Sequence, residues 1–194
     1  MPAPALPSLA HIDLSSGIID PAAEVVERRL SDMPAWFQDQ PAAQALLSEN
    51  PVLYRVYAMA QPDTAGWRLA TSVIESGRIG AEYYMTRGHA HVREDAPEVY
   101  LTLRGRGMLV MQSRTDETVV QVMQPGSINY IPGGWAHRTV NTGDEPLVFF
   151  AVWSIDAGHD YEAYAERGFA KLILAGEDGP RVVDNPSYVK AKRA

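Results

Sequence analysis

The segment GSINYIPGGWAHRTVN, residues 126–141, decides the fold of this chain. Gly126 lets the chain turn, and Pro132 and Gly134 make a tight loop between two runs of strand-forming residues. His137 follows that loop, and we expect its imidazole to project from the second strand into a small β-barrel. A barrel of this size encloses one ligand-sized cavity, in which side chains from neighbouring strands can converge.

A second segment, GHAHVREDAPEVY (88–100), adds three side chains that bind metals in other proteins. His89 and His91 are two residues apart, so on a strand both point to the same face. With Glu98 and His137 they give three imidazoles and one carboxylate, a set that suits divalent iron, nickel, manganese, cobalt or zinc. We therefore predict one divalent metal ion per subunit at these four residues, with iron favoured.

The sequence around these segments predicts an all-β protein. Across residues 52–153, short β-branched and aromatic runs are bounded by glycine, proline, asparagine and aspartate. Many short strands at this spacing are typical of a β-sandwich or barrel. A short piece that is either polar or helical, over residues 161–167, and a further strand over residues 169–174 are expected to follow.

The region before the strands is predicted to carry short helices. Residues 22–30 are expected to form one helix, with Asp20 as its N-cap and Pro21 at its first position. Residues 40–47 are expected to form a second one. The prediction is thus a single domain over residues 1–194, with three approximate parts: a helical extension (15–50), a barrel core (52–155) and a tail (156–194).

Composition excludes several classes of protein and favours a cytoplasmic location. The chain has 194 residues and no cysteine, so disulfides, thiolate metal sites and a cysteine nucleophile are excluded. It contains no apolar run long enough to span a membrane, and its N-terminus makes a poor signal peptide. The net charge of −7 disfavours a nucleic-acid surface. A small anionic substrate would need only local donors.

The two segments resemble the motifs of the cupins. Residues 126–141 match the second cupin motif, G-x5-P-x-G-x2-H-x3-N, at every fixed position. The first motif departs from the general pattern, since six residues separate His91 from Glu98 instead of three or four, and Tyr83 replaces its leading glycine. The longer spacing is that of the cupin-type (archaeal-type) phosphoglucose isomerases. The chain resembles this family most clearly at residues 85–112, 124–153 and 156–161.

The resemblance implies a cupin double-stranded β-helix, or jelly-roll barrel, with short N-terminal helices, and it implies a homodimer. It also implies a metal-dependent interconversion of glucose 6-phosphate and fructose 6-phosphate. His159 and Tyr161 would lie near the sugar or its phosphate. By the same resemblance the phosphate pocket consists of hydroxyl groups and one backbone N–H, from Tyr54, Ser72, Thr86, Gly88 and Tyr161.

The residues themselves indicate how such an isomerase would work. An aldose–ketose isomerase moves a proton or a hydride between C1 and C2, and a proton route needs a base. Glu98 is the predicted base as well as a candidate ligand, and Tyr100 faces the same side of the strand, within reach of the substrate or Glu98. The resemblance to the family adds His159 as the third catalytic candidate.

Other functions remain open at this point. The chain is also compatible with a mannose-6-phosphate or pentose isomerase, or with a dioxygenase, which would need a pocket without phosphate donors. A metal-free sugar-binding or regulatory cupin is the alternative from a different class.

Overall fold

A computed structural model describes residues 7–61, 66–165 and 167–190. Helical segments are short: two 3-10 turns (Leu30–Asp32 and Pro34–Trp36), α1 (Gln40–Leu46) and α2 (Glu162–Ala165). The strands are β1 (His11–Ile12), β2 (Ile19–Asp20), β3 (Ala22–Arg29), β4 (Val52–Met59), β5 (Trp67–Ile74), β6 (Arg78–Ile79), β7 (Glu82–Tyr83), β8 (Glu98–Arg104), β9 (Gly107–Ser113), β10 (Thr118–Met123), β11 (Ile128–Ile131), β12 (Trp135–Asn141), β13 (Leu147–Ser154), β14 (Lys171–Gly176) and β15 (Gly179–Asp184).

The largest sheet has six antiparallel strands in the order β11-β8-β13-β5-β4-β3. Burial alternates along strand β8 of this sheet: Glu98, Tyr100 and Thr102 are buried, and the residues between them are half-buried. This period of two directs alternate side chains toward the protein interior. The inner face of the sheet therefore carries both candidate catalytic residues of this strand.

A second sheet, in the order β10-β9-β12, faces the first. Strand β12 is covered on both sides, and its residues from Ala136 to Asn141 are all buried. The chain just before β8 runs antiparallel to β12, through bridges from Met85 to Val140 and from His89 to His137. Glu98 on the first sheet and His137 on the second approach to 3.0 Å, so the site lies between the sheets.

The predicted all-β barrel is confirmed, and so are the predicted helical turns near residues 40 and 162. In α1, the Asp39 carboxylate accepts a hydrogen bond from the Ala42 N–H at 3.0 Å and caps the helix. The strand predicted after the second turn is present as β14, and β15, which pairs with it, was not predicted. Within the described residues, none of the helices has the length and apolarity that a membrane crossing requires.

The helix predicted over residues 22–30 is wrong. This stretch is strand β3, which pairs with β4 along the edge of the six-stranded sheet. Asp20 lies in β2 and caps no helix there. The β-branched pair Val25 and Val26 favours a strand. The local preferences of this stretch for helix and for strand are close in energy, and hydrogen bonding to β4 stabilises the strand.

Candidate active site

Backbone pairing sets the position of two of the candidate ligands. His89 and His137 exchange both backbone hydrogen bonds, at 3.1 Å and 2.9 Å, so their side chains leave the same side of the ladder. Their rings meet edge to face with centroids 4.4 Å apart. Gly88, immediately before, has φ of +75°, and a Cβ there would lie 2.7 Å from the Phe169 ring, so this approach requires glycine.

The four predicted ligands come together as one buried cluster. One donor atom from each of His89, His91, Glu98 and His137 lies within 4.8 Å of the others. Oε2 of Glu98 is 3.2 Å from Nε2 of His91 and 3.0 Å from Nε2 of His137. Ligands bound at about 2.1 Å to one ion, and about 90–110° apart, are separated by about 3.0–3.4 Å. The observed separations of the carboxylate oxygen from both imidazoles match that spacing.

The hydrogen bonding of the imidazoles also suits a metal ion. Nε2 of His89 is buried and has no hydrogen-bond partner among the described residues, and the buried Nε2 of His137 has the Glu98 carboxylate oxygen 3.0 Å away. Nδ1 of His91 lies 2.9 Å from the Ala96 carbonyl, which assigns the proton to Nδ1 and leaves the Nε2 lone pair directed at the cluster. Burial lowers the pKa of His89 well below its ordinary value, which keeps that ring neutral. The group can therefore hold a divalent metal.

Glu98 remains an anion in this surrounding. Burial raises its pKa, but the neighbouring imidazoles of His137 and His91, which lie 3.0 Å and 3.2 Å from its Oε2, outweigh burial and bring the pKa below the ordinary value. Burial, followed by the Glu98 carboxylate, raises the pKa of Tyr100 well above its usual range. The site thus pairs an ionised carboxylate with a phenol that keeps its proton and can donate it in a hydrogen bond.

A cavity of about 340 Å³ extends from the cluster along the inner face of the six-stranded sheet. This volume suits a small ligand. Every predicted site residue except His91 lines the cavity. The predicted residues in its wall are Tyr54, Ser72, Thr86, Gly88, His89, Glu98, Tyr100, His137, His159 and Tyr161.

The rows of paired residues across the sheet explain the shape of this cavity. Tyr100 pairs with Ala151, Ala151 with Ala70, and Ala70 with Ala58. Ala58 and Ala151 line the cavity, and their small side chains leave the space next to Tyr100 open. The next rows bring Ser72 and then Tyr54 to the wall, farther from the metal-binding cluster.

The chain after β13 covers the cavity beside His89. The His159 ring lies 4.3 Å from that of His89, and the Tyr161 ring lies 5.5 Å from it. A pair of backbone hydrogen bonds between Ala90 and Asp160, at 3.1 Å and 2.8 Å, holds this segment in place. Burial lowers the pKa of His159, so its ring is neutral beside the other imidazoles.

Four further residues with polar side-chain atoms line the cavity and were not predicted from the sequence. Glu24 and Arg28 were missed because their strand, β3, was predicted as a helix. Arg87 lies between two predicted site residues, and that position was the one available signal. Trp153 also lines the cavity, and its ring is 5.9 Å from that of His159.

Comparison with solved structures supports the class of fold. An oxalate oxidase structure aligns with a TM-score of 0.50 and 17% identity, covering 62% of this chain and 61% of that one. An oxalate oxidase in complex with the substrate analogue glycolate also aligns with a TM-score of 0.50, at 16% identity. At this identity the likeness concerns the fold alone. The barrel and the two motifs define the chain as a cupin.

Sequence comparison identifies the family within that class. A model of the family described as glucose-6-phosphate isomerase matches residues 27–189. The glucose-6-phosphate isomerase of Pyrococcus horikoshii is 44% identical over 179 residues, which cover 91% of this chain and 94% of that one. The enzyme of Sinorhizobium medicae is 30% identical over 193 residues, or 97% and 90% of the two chains. The chain belongs to the glucose-6-phosphate isomerase family, which confirms the resemblance seen in the motifs.

Proposed function

We propose that this protein is a metal-dependent glucose-6-phosphate isomerase that interconverts glucose 6-phosphate and fructose 6-phosphate. The observation that carries the proposal is the continuity of one cavity from the His/Glu cluster to a group of hydroxyl side chains. A sugar phosphate has the corresponding two ends. Its C1 and C2 oxygens suit the cluster, and its phosphate suits the hydroxyl groups.

The chemistry follows from the residues at the two ends. A bound divalent ion would act as a Lewis acid toward the sugar oxygens, held by His89, His91, Glu98 and His137. Glu98 would take a proton from one of the two reacting carbons and return it to the other. Tyr100 would donate a hydrogen bond to the sugar or to Glu98, and His159 would contact the sugar from the opposite wall.

Neutral donors are proposed to contribute to the binding of the phosphate end. Ser72, Thr86 and Tyr161 would donate their hydroxyl hydrogens, and Tyr54 would do the same, since burial raises its pKa to about 12 and keeps it protonated. The Gly88 backbone N–H would add a further donor. Hydroxyl groups in this wall also favour an isomerase of phosphorylated sugars over a dioxygenase.

A coupled isomerase assay tests the function directly. Purified protein is stripped with a chelator and reloaded separately with iron, nickel, manganese, cobalt or zinc, and turnover of fructose 6-phosphate is measured. Mannose 6-phosphate and free pentoses serve as competing substrates. We expect activity only after reloading, with glucose 6-phosphate as product. Full turnover by metal-free protein, or preference for another sugar, would contradict the proposal.

Several finer features belong to the same proposal. We propose one ion per subunit with iron favoured, a single domain over residues 1–194, and a cytoplasmic homodimer that serves glycolysis or gluconeogenesis. Strands β3 and β11 are the two edge strands of the large sheet, and each pairs with another strand of that sheet on one side only. Edge strands of this kind can pair with a second chain, which supports assembly into a dimer. Size-exclusion chromatography with light scattering would measure the mass of the protein in solution. A monomer at micromolar concentration would contradict the dimer.

A further inference from the structure

Two arginines reach the cavity from opposite sides. Arg28 lies on β3, at the edge of the six-stranded sheet, and Arg87 lies on the segment that runs beside β12. Both line the cavity. They are unexpected in a wall otherwise supplied with neutral donors, and their charges are opposite to the net charge of −7 of the whole chain.

Both arginines lie at the end of the cavity where Tyr54 and Tyr161 meet. Arg28 is the cross-strand partner of Tyr54, and Arg87, Tyr54 and Tyr161 all line this end of the cavity. The Arg87 guanidinium carbon is 4.8 Å from the centre of the Tyr161 ring. The positive charges of both arginines oppose the effect of burial on the pKa values of the two tyrosines. All four side chains therefore share one small region.

Neither guanidinium makes an ion pair with a carboxylate in the described part of the chain. The carboxylate of Glu27 pairs with Arg29 and Arg55, each at 2.8 Å. Arg28 instead donates to the Glu27 backbone carbonyl at 3.1 Å. Nε of Arg87 is buried with no hydrogen-bond partner among the described residues. A buried donor without a partner is costly, so the site favours an anion that would accept from it.

The geometry points to Arg28 and Arg87 as a pair of phosphate-binding residues, and this inference rests on the proposed function. Guanidinium groups match phosphate oxygens with two parallel hydrogen bonds, which hydroxyl groups cannot do. The Arg87 guanidinium lies over the ring of Tyr161 and over the ring of Trp36. Its carbon is 5.7 Å from the centre of the Trp36 ring. Stacking limits the rotamers of this side chain, which lowers the entropy lost on binding. The pair would hold the phosphate while the sugar extends toward Glu98.

Binding measurements on single variants test the inference. The affinity of metal-loaded protein for 6-phosphogluconate is measured by calorimetry for Arg28→Met and Arg87→Met, with Arg29→Met as the matched control. Arg29 is the neighbour of Arg28 on β3, is exposed, and is paired with Glu27. We expect each cavity variant to bind about 10- to 100-fold more weakly, as for loss of a charged hydrogen bond. The control should stay within twofold of wild type.

Steady-state kinetics and a conservative series complete the test. KM for fructose 6-phosphate should rise with the loss of affinity, and its dependence on salt should flatten, while metal content stays constant. Arg28→Lys and Arg87→Lys keep the positive charge but lose the two parallel N–H donors of the guanidinium. Their affinity for 6-phosphogluconate should fall between that of wild type and that of the methionine variants. They also serve if the methionine variants fail to fold.

The outcomes separate this inference from the function on which it rests. An active wild-type enzyme whose affinity for 6-phosphogluconate survives both Arg28→Met and Arg87→Met would overturn the inference and leave the isomerase assignment intact. A loss of equal size in Arg29→Met would also overturn it. A metal-loaded wild-type protein that does not interconvert the two hexose phosphates would overturn the proposed function itself.

Discussion

The backbone carbonyl of Ala96 fixes the ring of His91, with Nδ1 2.9 Å from the oxygen. This contact explains the six residues between His91 and Glu98, because a shorter connection would not contain the turn that returns Ala96 to the ring. The Ala96 N–H donates to the Arg93 carbonyl at 3.0 Å and closes that turn. The long spacing thus supplies the support that a metal-binding histidine needs on its second nitrogen.

Gly133→Ala should weaken metal binding without touching a ligand. A Cβ at Gly133 would lie 2.6 Å from the backbone of Asp95, so the turn that carries Ala96 must move. Loss of such support costs about 10- to 100-fold in metal affinity. Competition with a metal-binding dye would measure it. Gly143→Ala is the matched control, since its Cβ would meet ordinary contacts at 3.4 Å and beyond. Equal affinities in both variants would show that the turn does not hold His91.

His137→Ala should remove both metal and activity. His137 supplies a buried Nε2 to the cluster, and its loss leaves only two imidazoles beside the carboxylate. An ion present at a hundred times its Kd adds about 2.7 kcal/mol to stability. The variant should therefore melt at the temperature of chelator-treated wild type. A stoichiometric ion retained by His137→Ala, measured by elemental analysis, would refute the ligand assignment.

The candidate ligands could be predicted from sequence because their signals are local. His89 and His91 follow a period of two, and the turn before His137 is fixed by Pro132 and Gly134. The character of β3 could not be predicted in this way, because its pairing with β4 is a non-local contact between ranges 22–29 and 52–59.

The same reasoning explains why the two cavity arginines were missed. Nothing in the neighbourhood of Arg28 or Arg87 shows which way a long charged side chain points. Arginine is most often solvated at the surface, and only the packing of Trp36 and Tyr161 against Arg87 directs that side chain to the cavity. The hydroxyl residues were placed by resemblance to a family and not by any local pattern.

Thr86→Ala should raise KM for the sugar phosphate by about tenfold, with little change in metal content. The Thr86 hydroxyl oxygen already accepts a hydrogen bond from the Thr139 N–H at 3.1 Å, so its own hydrogen remains free to be donated to a phosphate oxygen. A hydrogen bond to a charged group accounts for an effect of this size. Thr86→Ser keeps both roles and should restore KM. If inhibition by 6-phosphogluconate is the same in Thr86→Ala, Ser72→Ala and wild type, the phosphate binds elsewhere.

Glu98→Gln should separate the two roles of the carboxylate. The three imidazoles should retain most of the metal, while catalysis falls by about 10²- to 10⁴-fold, since an amide oxygen is too weak a base. Exchange of solvent deuterium into C2 of the product should disappear in step with turnover. Near-normal turnover in a metal-loaded Glu98→Gln protein would exclude Glu98 as the base. Wild-type turnover without any exchange would instead favour a hydride shift.

Ala151→Leu should close the cavity to the sugar while leaving the metal cluster intact. Ala151 lies between Tyr100 and Ala70 in the cross-strand row, lines the cavity, and is 4% exposed. Three added carbons there would occupy the space next to Tyr100 that the reacting end of the sugar needs. Overpacking would also cost about 1–3 kcal/mol of stability. We expect kcat/KM to fall by at least about 100-fold, the loss expected when reacting groups are displaced by about 1 Å.

Metal content and folding must be measured alongside, because Ala151→Leu is expected to exclude the sugar without loss of the metal or of the fold. Elemental analysis should give one ion per chain in Ala151→Leu, and circular dichroism should match wild type. Ala151→Ser, which hardly changes the volume, is the control and should keep KM within about threefold, since a hydroxyl can be solvated in an open cavity. A folded, metal-loaded Ala151→Leu protein with normal kcat/KM would show that the sugar does not contact Ala151. The substrate would then approach Glu98 along a different wall of the cavity.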